Sequence, residues 1–178
     1  MGHDLMDADD FIDEGWVALQ AGAWERARDA FTSALGEAET AEGWEGLGWA
    51  TWWLDEAGRC LDARERAYRF HLDAGDVRGA ARMAVWLSDD HVVFRGDTAV
   101  ANGWLRRAER LLARLDPGPE HAWMVGFRAY TALGAADIEI AKRLSIDAQE
   151  LGRVHGVADV EALGLAVEGA ALVDEGAV

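Results

Sequence analysis

The sequence predicts an all-α chain folded as a solenoid of helical hairpins, and three observations predict it. First, small residues recur at fixed offsets. Gly22 leads to Ala27 and Ala34, Gly58 to Ala63 and Phe70, Gly96 to Ala101 and Ala108, and Ala136 to Ala141 and Ala148, each time five and twelve positions on. A supersecondary unit used repeatedly leaves this trace, because each unit has an apolar face that only the next copy covers. Second, apolar and small residues fall at spacings of three and four, as in Trp44, Leu47 and Gly48 and again in Val160, Leu163 and Gly164, which is the period of one helix face. Third, there is no strand signal; the short apolar runs are rich in Ala, Leu and Trp and keep helical spacing.

Each unit reads as a helix, a tight turn and a second helix, with small residues where the two antiparallel helices approach. This arrangement resembles the tetratricopeptide repeat, whose first helix carries a large apolar residue and a Leu-Gly pair and whose second carries Ala, an aromatic and Ala. In repeat one these are Phe11, Gly15, Ala27, Phe31 and Ala34, with Glu14 where the family has Leu. The resemblance implies a right-handed solenoid of about four and a half repeats. The anchoring residues Gly15, Gly48, Ala84, Gly126 and Gly164 stand 33, 36, 42 and 38 residues apart, above the usual ~34. Repeats two to four therefore carry extra residues, expected at the ends of their first helices around 54–57, 90–95 and 133–135. Pro117 and Pro119 mark a turn between repeats three and four, since each biases its predecessor away from helical geometry. Repeat five offers a first helix over about 157–173 and then Asp174-Glu175-Gly176, which copies the turn-like Asp55-Glu56-Ala57-Gly58. Residues 1–178 are expected to form one domain with a continuous core. Leu163, Leu165, Val167 and Leu172 lack a following helix, and a solenoid ends in a polar cap. The expectation is the amino-terminal part of a longer protein; the alternative makes the fifth helix itself the cap.

Charge narrows the partners. The chain has 33 acidic against 17 basic residues, a net charge of −16, with Lys142 its one lysine. Such a chain repels nucleic acid and anionic membrane. Arg106, Arg107, Arg110 and Arg114 cluster on one helix, interleaved with Glu109 and Asp116, and are expected to be a solvated face with local ion pairs. The single Cys60 excludes an internal disulfide framework and fits a reducing compartment. The start Met1-Gly2-His3-Asp4 lacks the regions of a signal peptide, Met6 spoils a myristoylation motif, and no apolar run approaches membrane-spanning length. A cytoplasmic location is expected.

Nine tryptophans are the unusual part of the composition. In the repeat frame, positions one and four beyond each anchor point to the inner surface. They are Trp16 and Leu19, Trp49 and Trp52, Val85 and Ser88, Phe127 and Tyr130, Leu165 and Glu168, with Trp53 alongside. The predicted ligand-binding set is Trp16, Trp49, Trp52, Trp53, Ser88, Asp89, Phe127, Tyr130 and Glu168, an aromatic groove for an apolar small molecule or a peptide helix. Trp24, Trp44, Trp86, Trp104 and Trp123 are expected to pack between repeats. For Trp49, Trp52 and Trp53 packing and groove are evenly matched readings.

Catalytic motifs are wanting. No Gly-rich phosphate loop precedes a Lys and Ser or Thr. His3, His71, His91, His121 and His155 are scattered, and none has a partner at helical zinc spacing. Asp89, Asp90 and His91 are adjacent and point to different faces. Cys60 reads as a small buried hydrophobe. No catalytic residue, metal site or cofactor is expected.

The runs Gly15-Trp16-Val17-Ala18-Leu19-Gln20-Ala21-Gly22-Ala23-Trp24, Glu45-Gly46-Leu47-Gly48-Trp49-Ala50-Thr51-Trp52-Trp53-Leu54, Arg64-Glu65-Arg66-Ala67-Tyr68-Arg69, Ala74-Gly75-Asp76-Val77-Arg78-Gly79-Ala80-Ala81-Arg82 and Phe94-Arg95-Gly96-Asp97 resemble the repeat region of LuxR-type bacterial transcriptional regulators. The likeness extends through Leu163-Gly164-Leu165-Ala166-Val167-Glu168-Gly169. It implies a sensing or interaction module, with DNA reached through a helix-turn-helix outside this sequence and self-association as a further option. A protein-interaction scaffold without a small-molecule ligand is the other class left open.

Overall fold

The helical period of the sequence becomes nine α-helices, with no strand among the described residues. They are α1 (Ala8–Gln20), α2 (Trp24–Glu37), α3 (Ala41–Trp53), α4 (Ala57–Asp73), α5 (Val77–Arg95), α6 (Thr98–Leu112), α7 (Pro119–Gly134), α8 (Ile138–His155) and α9 (Ala158–Asp174). The structure, a computed structural model, describes residues 7–174. The expectations resting on Met1-Gly2-His3-Asp4, Met6 and Glu175-Gly176 lie outside them. Much of the acidic excess sits at helix starts. The side chains of Asp7, Asp76, Asp97 and Asp137 accept backbone N–H groups that open α1, α5, α6 and α8, and Thr40 does the same for α3. Each satisfies a donor with no intrahelical partner and places its oxygen at the positive end of the helix.

Tight turns close the hairpins with one residue in the left-handed region. Gly22, Gly96 and Ala136 hold it between α1 and α2, α5 and α6, and α7 and α8, at φ of 71°, 63° and 58°. The alanines five and twelve positions on are all buried. In repeat two the sequence reading is corrected. Gly58 lies inside α4, and the left-handed residue is Asp55, at φ 57°. Its fifth and twelfth successors are Cys60 and Ala67, both fully buried. The offset survives; the residue types differ, because Asp is among the few non-glycine residues that enter this region readily. The extra residues of repeat two also lie elsewhere than expected. Helix α3 keeps the 13 residues of α1, while α4 has 17 against 14 in α2. In repeats three and four the first helices are lengthened, α5 to 19 residues and α7 to 16.

Packing is local. Each helix lies against its sequence neighbours, and further contact is with the next repeat: α1, α5 and α7 approach the next first helix, α3 reaches α5 through the Trp49 and Glu45 side chains, and α4 reaches α6 where Tyr68 meets Trp104. The core is accordingly a strip. One cluster gathers Ile12, Ala18, Phe31 and Leu47, the next Leu61, Leu87, Trp104, Leu112 and Phe127, and two smaller ones join α7, α8 and α9 through Leu144, Val160 and Val167. The exception to close packing is the step from α6 to α7. These helices meet over a shorter stretch than α2 with α3 or α4 with α5, across residues 113–118. Pro119 then opens α7 at its first turn, where a missing N–H is harmless.

Candidate functional site

The first helices α3, α5 and α7 are tied side by side by two rows of side chains. One row is aromatic: Trp49 meets Trp86 edge-on with centroids 4.7 Å apart, and Trp86 meets Trp123 at 4.7 Å and Phe127 at 5.5 Å. Such pairs add about 0.5–1.5 kcal/mol each beyond area burial. The other row is charged. Arg82 donates two hydrogen bonds of 2.8 Å to Glu45, and Arg78 donates to Glu120 at 3.2 Å and to the Asp116 carbonyl at 2.8 Å. The His71 imidazole sits 3.3 Å from Glu45 and 2.9 Å from Asp76. Burial alone would raise the Glu45 pKa, but the hydrogen bonds and charges of Arg82 and His71 outweigh it and hold the carboxyl at about 2. A folded pKa below the unfolded 4.5 means that this stabilisation is complete above pH 4.5 and is lost as the pH falls through 2. It amounts to about 3 kcal/mol. Urea titrations should therefore find Glu45→Gln less stable than the parent at pH 7 by up to that amount, with the gap closing between pH 4.5 and 2. A gap independent of pH would refute the assignment.

The predicted groove residues divide among separate places. Trp16 donates from Nε1 to Glu42 at 2.9 Å and stands edge-on to Phe31 at 5.3 Å. Trp52 meets Trp53 edge-on at 4.9 Å, and Trp53, 51% exposed, lies flat on Trp24 at 4.8 Å with planes 9° apart. Trp49 belongs to the aromatic row. Ser88 and Phe127 are buried, so they are interior residues and not the lining of an open groove. Helical spacing sets which face a residue takes; it does not say that the neighbouring helix already covers that face. Asp89 is half-buried, and burial raises its carboxyl pKa. Glu168 accepts a 2.7 Å hydrogen bond from Gln149 Nε2. Tyr130 is 45% exposed and stands at a different opening, described below. Of the rings expected between repeats, Trp104 is buried and Trp44, Trp86 and Trp123 pack against the core clusters, whereas Trp24 stacks on a surface ring.

Sequence reasoning missed the most polar part of the interior. Arg64 of α4 is 1% exposed, and its Nη1 lies 3.2 Å from Oδ2 of the fully buried Asp90 of α5. Its guanidinium is held 4.7 Å from the Trp49 ring and 5.4 Å from that of Trp86. Gly48 makes the room, since a Cβ there would come 2.8 Å from Arg64 Cγ. Burial pushes the Asp90 carboxyl up to about 6 against the pull of Arg64. The Cys60 thiol, 3.6 Å from Asp90, is pushed up to about 12, chiefly by burial. A thiol so disfavoured as thiolate is a packing residue, as the small-residue position it occupies in the repeat requires.

A cleft of about 780 Å³ opens where α6 parts from α7 and α8. Leu105, Leu133, Ile140 and Leu144 line it, with Tyr130, Asn102 and Arg106 among its more polar residues. The signal for it was the row of arginines on α6, expected to make local ion pairs. Among the described residues, Arg106, Arg107, Arg110 and Arg114 make none. Glu109 pairs instead with Arg128 of α7 at 3.2 Å, and Arg107 stacks over Trp104 at 4.3 Å. No group of three His, Cys, Asp or Glu side chains is placed to hold a metal among the described residues, and no helix among them is long and apolar enough to cross a membrane. No family model matches this chain, and no curated protein matches its sequence. What the geometry defines is an all-helical protein of successive paired helices, with an aromatic and charged face on its first helices and a cleft between α6 and the α7–α8 hairpin.

Proposed function

We propose that the chain is a tetratricopeptide-like solenoid of about four and a half repeats that serves, in the cytoplasm, as the sensing or docking module of a LuxR-type transcriptional regulator. It holds an apolar small molecule or a peptide and passes that event to a DNA-binding domain elsewhere in the protein. The observation that carries this reading is the succession of hairpins touching only their neighbours, an architecture whose extended surfaces suit partner binding. The net charge of −16 opposes phosphate contacts, so these residues alone should not be retained on DNA at physiological salt. A scaffold without a small-molecule ligand is the second reading, favoured by the mutual packing of the rings expected to line a groove.

The test has two parts. The reading frame beyond Val178 is expected to encode a basic helix-turn-helix, and a stop codon there would remove the regulator reading. In the full regulator, Trp53→Ala should abolish the response of its target promoter while the melting temperature hardly moves. Trp104→Ala should lose about 3–5 kcal/mol of stability, the usual consequence of emptying a core site. An unaltered response in Trp53→Ala would leave the scaffold.

A further inference from the structure

We propose that the cleft between α6 and α8 is a binding site for a small amphipathic anion, such as a medium-chain carboxylate, with its apolar body on Leu105, Ile140 and Leu144 and its acid group on Arg106. The proposal rests on the reading of the chain as a binding module and names a site and a ligand class within it. The volume, about 780 Å³, falls in the range of small-molecule sites, roughly 300–1,000 Å³. Its base is interior in character, with Leu105 and Leu144 both buried, whereas Ile140 and Tyr130 stand open at its wall. Apolar surface in a concavity is where the release of water by a hydrocarbon chain is most favourable.

Charge selects the head group. The lining holds two arginines, Arg106 and Arg128, and two carboxylates, Glu109 and Asp137. Both carboxylates are engaged. Glu109 is paired with Arg128 at 3.2 Å, and Asp137 accepts the Ile140 N–H at the start of α8. Arg106 has no carboxylate within ion-pair distance among the described residues. A guanidinium left over at the edge of this apolar opening is the group a carboxylate would meet. An amine there meets Arg106 instead of a free carboxylate. Of the polar groups nearby, Thr131 Oγ1 is already committed to the Phe127 carbonyl at 2.9 Å, which leaves Arg106, Asn102 and the hydroxyls of Thr98 and Tyr130 to recognise the ligand.

Calorimetric titrations with decanoate, decanol and decylamine, each below its micelle concentration, test this. Decanoate should bind on the order of tenfold more tightly than decanol, the worth of a charge-assisted hydrogen bond, and decylamine more weakly than either. Arg106→Gln, an exposed position, should reduce decanoate to the level of decanol, and Ile140→Trp should weaken all three by filling the cleft. Equal binding of decanoate and decylamine, or a preference that survives Arg106→Gln, would overturn the anion assignment. No binding of any of the three would overturn the site. A loss of the cleft ligand with the Trp53-dependent promoter response intact is failure of this proposal alone; loss of both removes the module reading as well.

Discussion

Asp90→Ala is expected to be among the most damaging single substitutions in the chain, lowering stability by about 3–5 kcal/mol. At about 2–4 °C per kcal/mol for a chain of this size, the melting temperature should fall by roughly 6–20 °C. The cause is what remains behind. Arg64 is 1% exposed between Trp49 and Trp86, with Asp90 as its ion-pair partner. Its Nη1 and Nη2, together with Asp90 Oδ1, have no hydrogen-bond partner of good geometry among the described residues, so the pair already carries part of its desolvation penalty. Removing one member converts a partly offset penalty into a full one. The double substitution Arg64→Met, Asp90→Leu should therefore recover most of the loss, because apolar residues of similar volume often replace a buried pair without harm. A melting temperature within ~2 °C of the parent for Asp90→Ala would mean that water reaches the pair.

Gly46→Val should lower stability by about 3 kcal/mol, through the ring of Phe31. That ring is fully buried between α1 and α3, with Gly15 on one side and Gly46 on the other. A Cβ at Gly15 would come 2.6 Å from Phe31 Cε1, and one at Gly46 would press on the same ring atoms. The two glycines are what allow an aromatic residue at the close approach of three helices. Phe31→Ala alone should lose about 3–5 kcal/mol by leaving a cavity. Combined with Gly46→Val the losses should not add, since the added valine side chain fills space that the lost ring vacates. Denaturant midpoints with unchanged slopes measure this, and strict additivity would show that Phe31 and position 46 are not in contact.

The helical period and the hairpin offsets were legible because they depend on small residues that must lie where helices touch. Ala27, Ala101 and Ala141 are at the same step of their helices and fully buried. The offset slipped in repeat two, where Asp55 makes the turn and Cys60 replaces the alanine; backbone conformation repeats more faithfully than residue type. Trp49 packs on Trp86 of α5, which lies one position beyond Val85, the residue that the register puts inward. Pairing across repeats depends on how the helices rotate against each other, which one helix's spacing does not contain. The arginines were less legible. Arg64 carries no signal of its own in the sequence and is core; Arg106, Arg107, Arg110 and Arg114 read as ion-paired, while the neighbouring Glu109 turns to another helix.

The short meeting of α6 with α7 divides the molecule's cooperativity. A chain of nearest-neighbour contacts unfolds as blocks joined by their interfaces, and it separates first where an interface is thinnest. Residues 7–112 and 119–174 are two such blocks. They are coupled on one side by the Trp86–Trp123–Phe127 rings and by ion pairs from Arg78 and Arg82 to Glu120, and on the other, where the cleft opens, by the exposed Glu109–Arg128 pair. Amide exchange should accordingly be slow within each block and faster at the start of α7 than in α3 or α5. Whatever fills the cleft bridges the blocks on their open side, so occupancy there changes how far one half of the molecule can swing against the other.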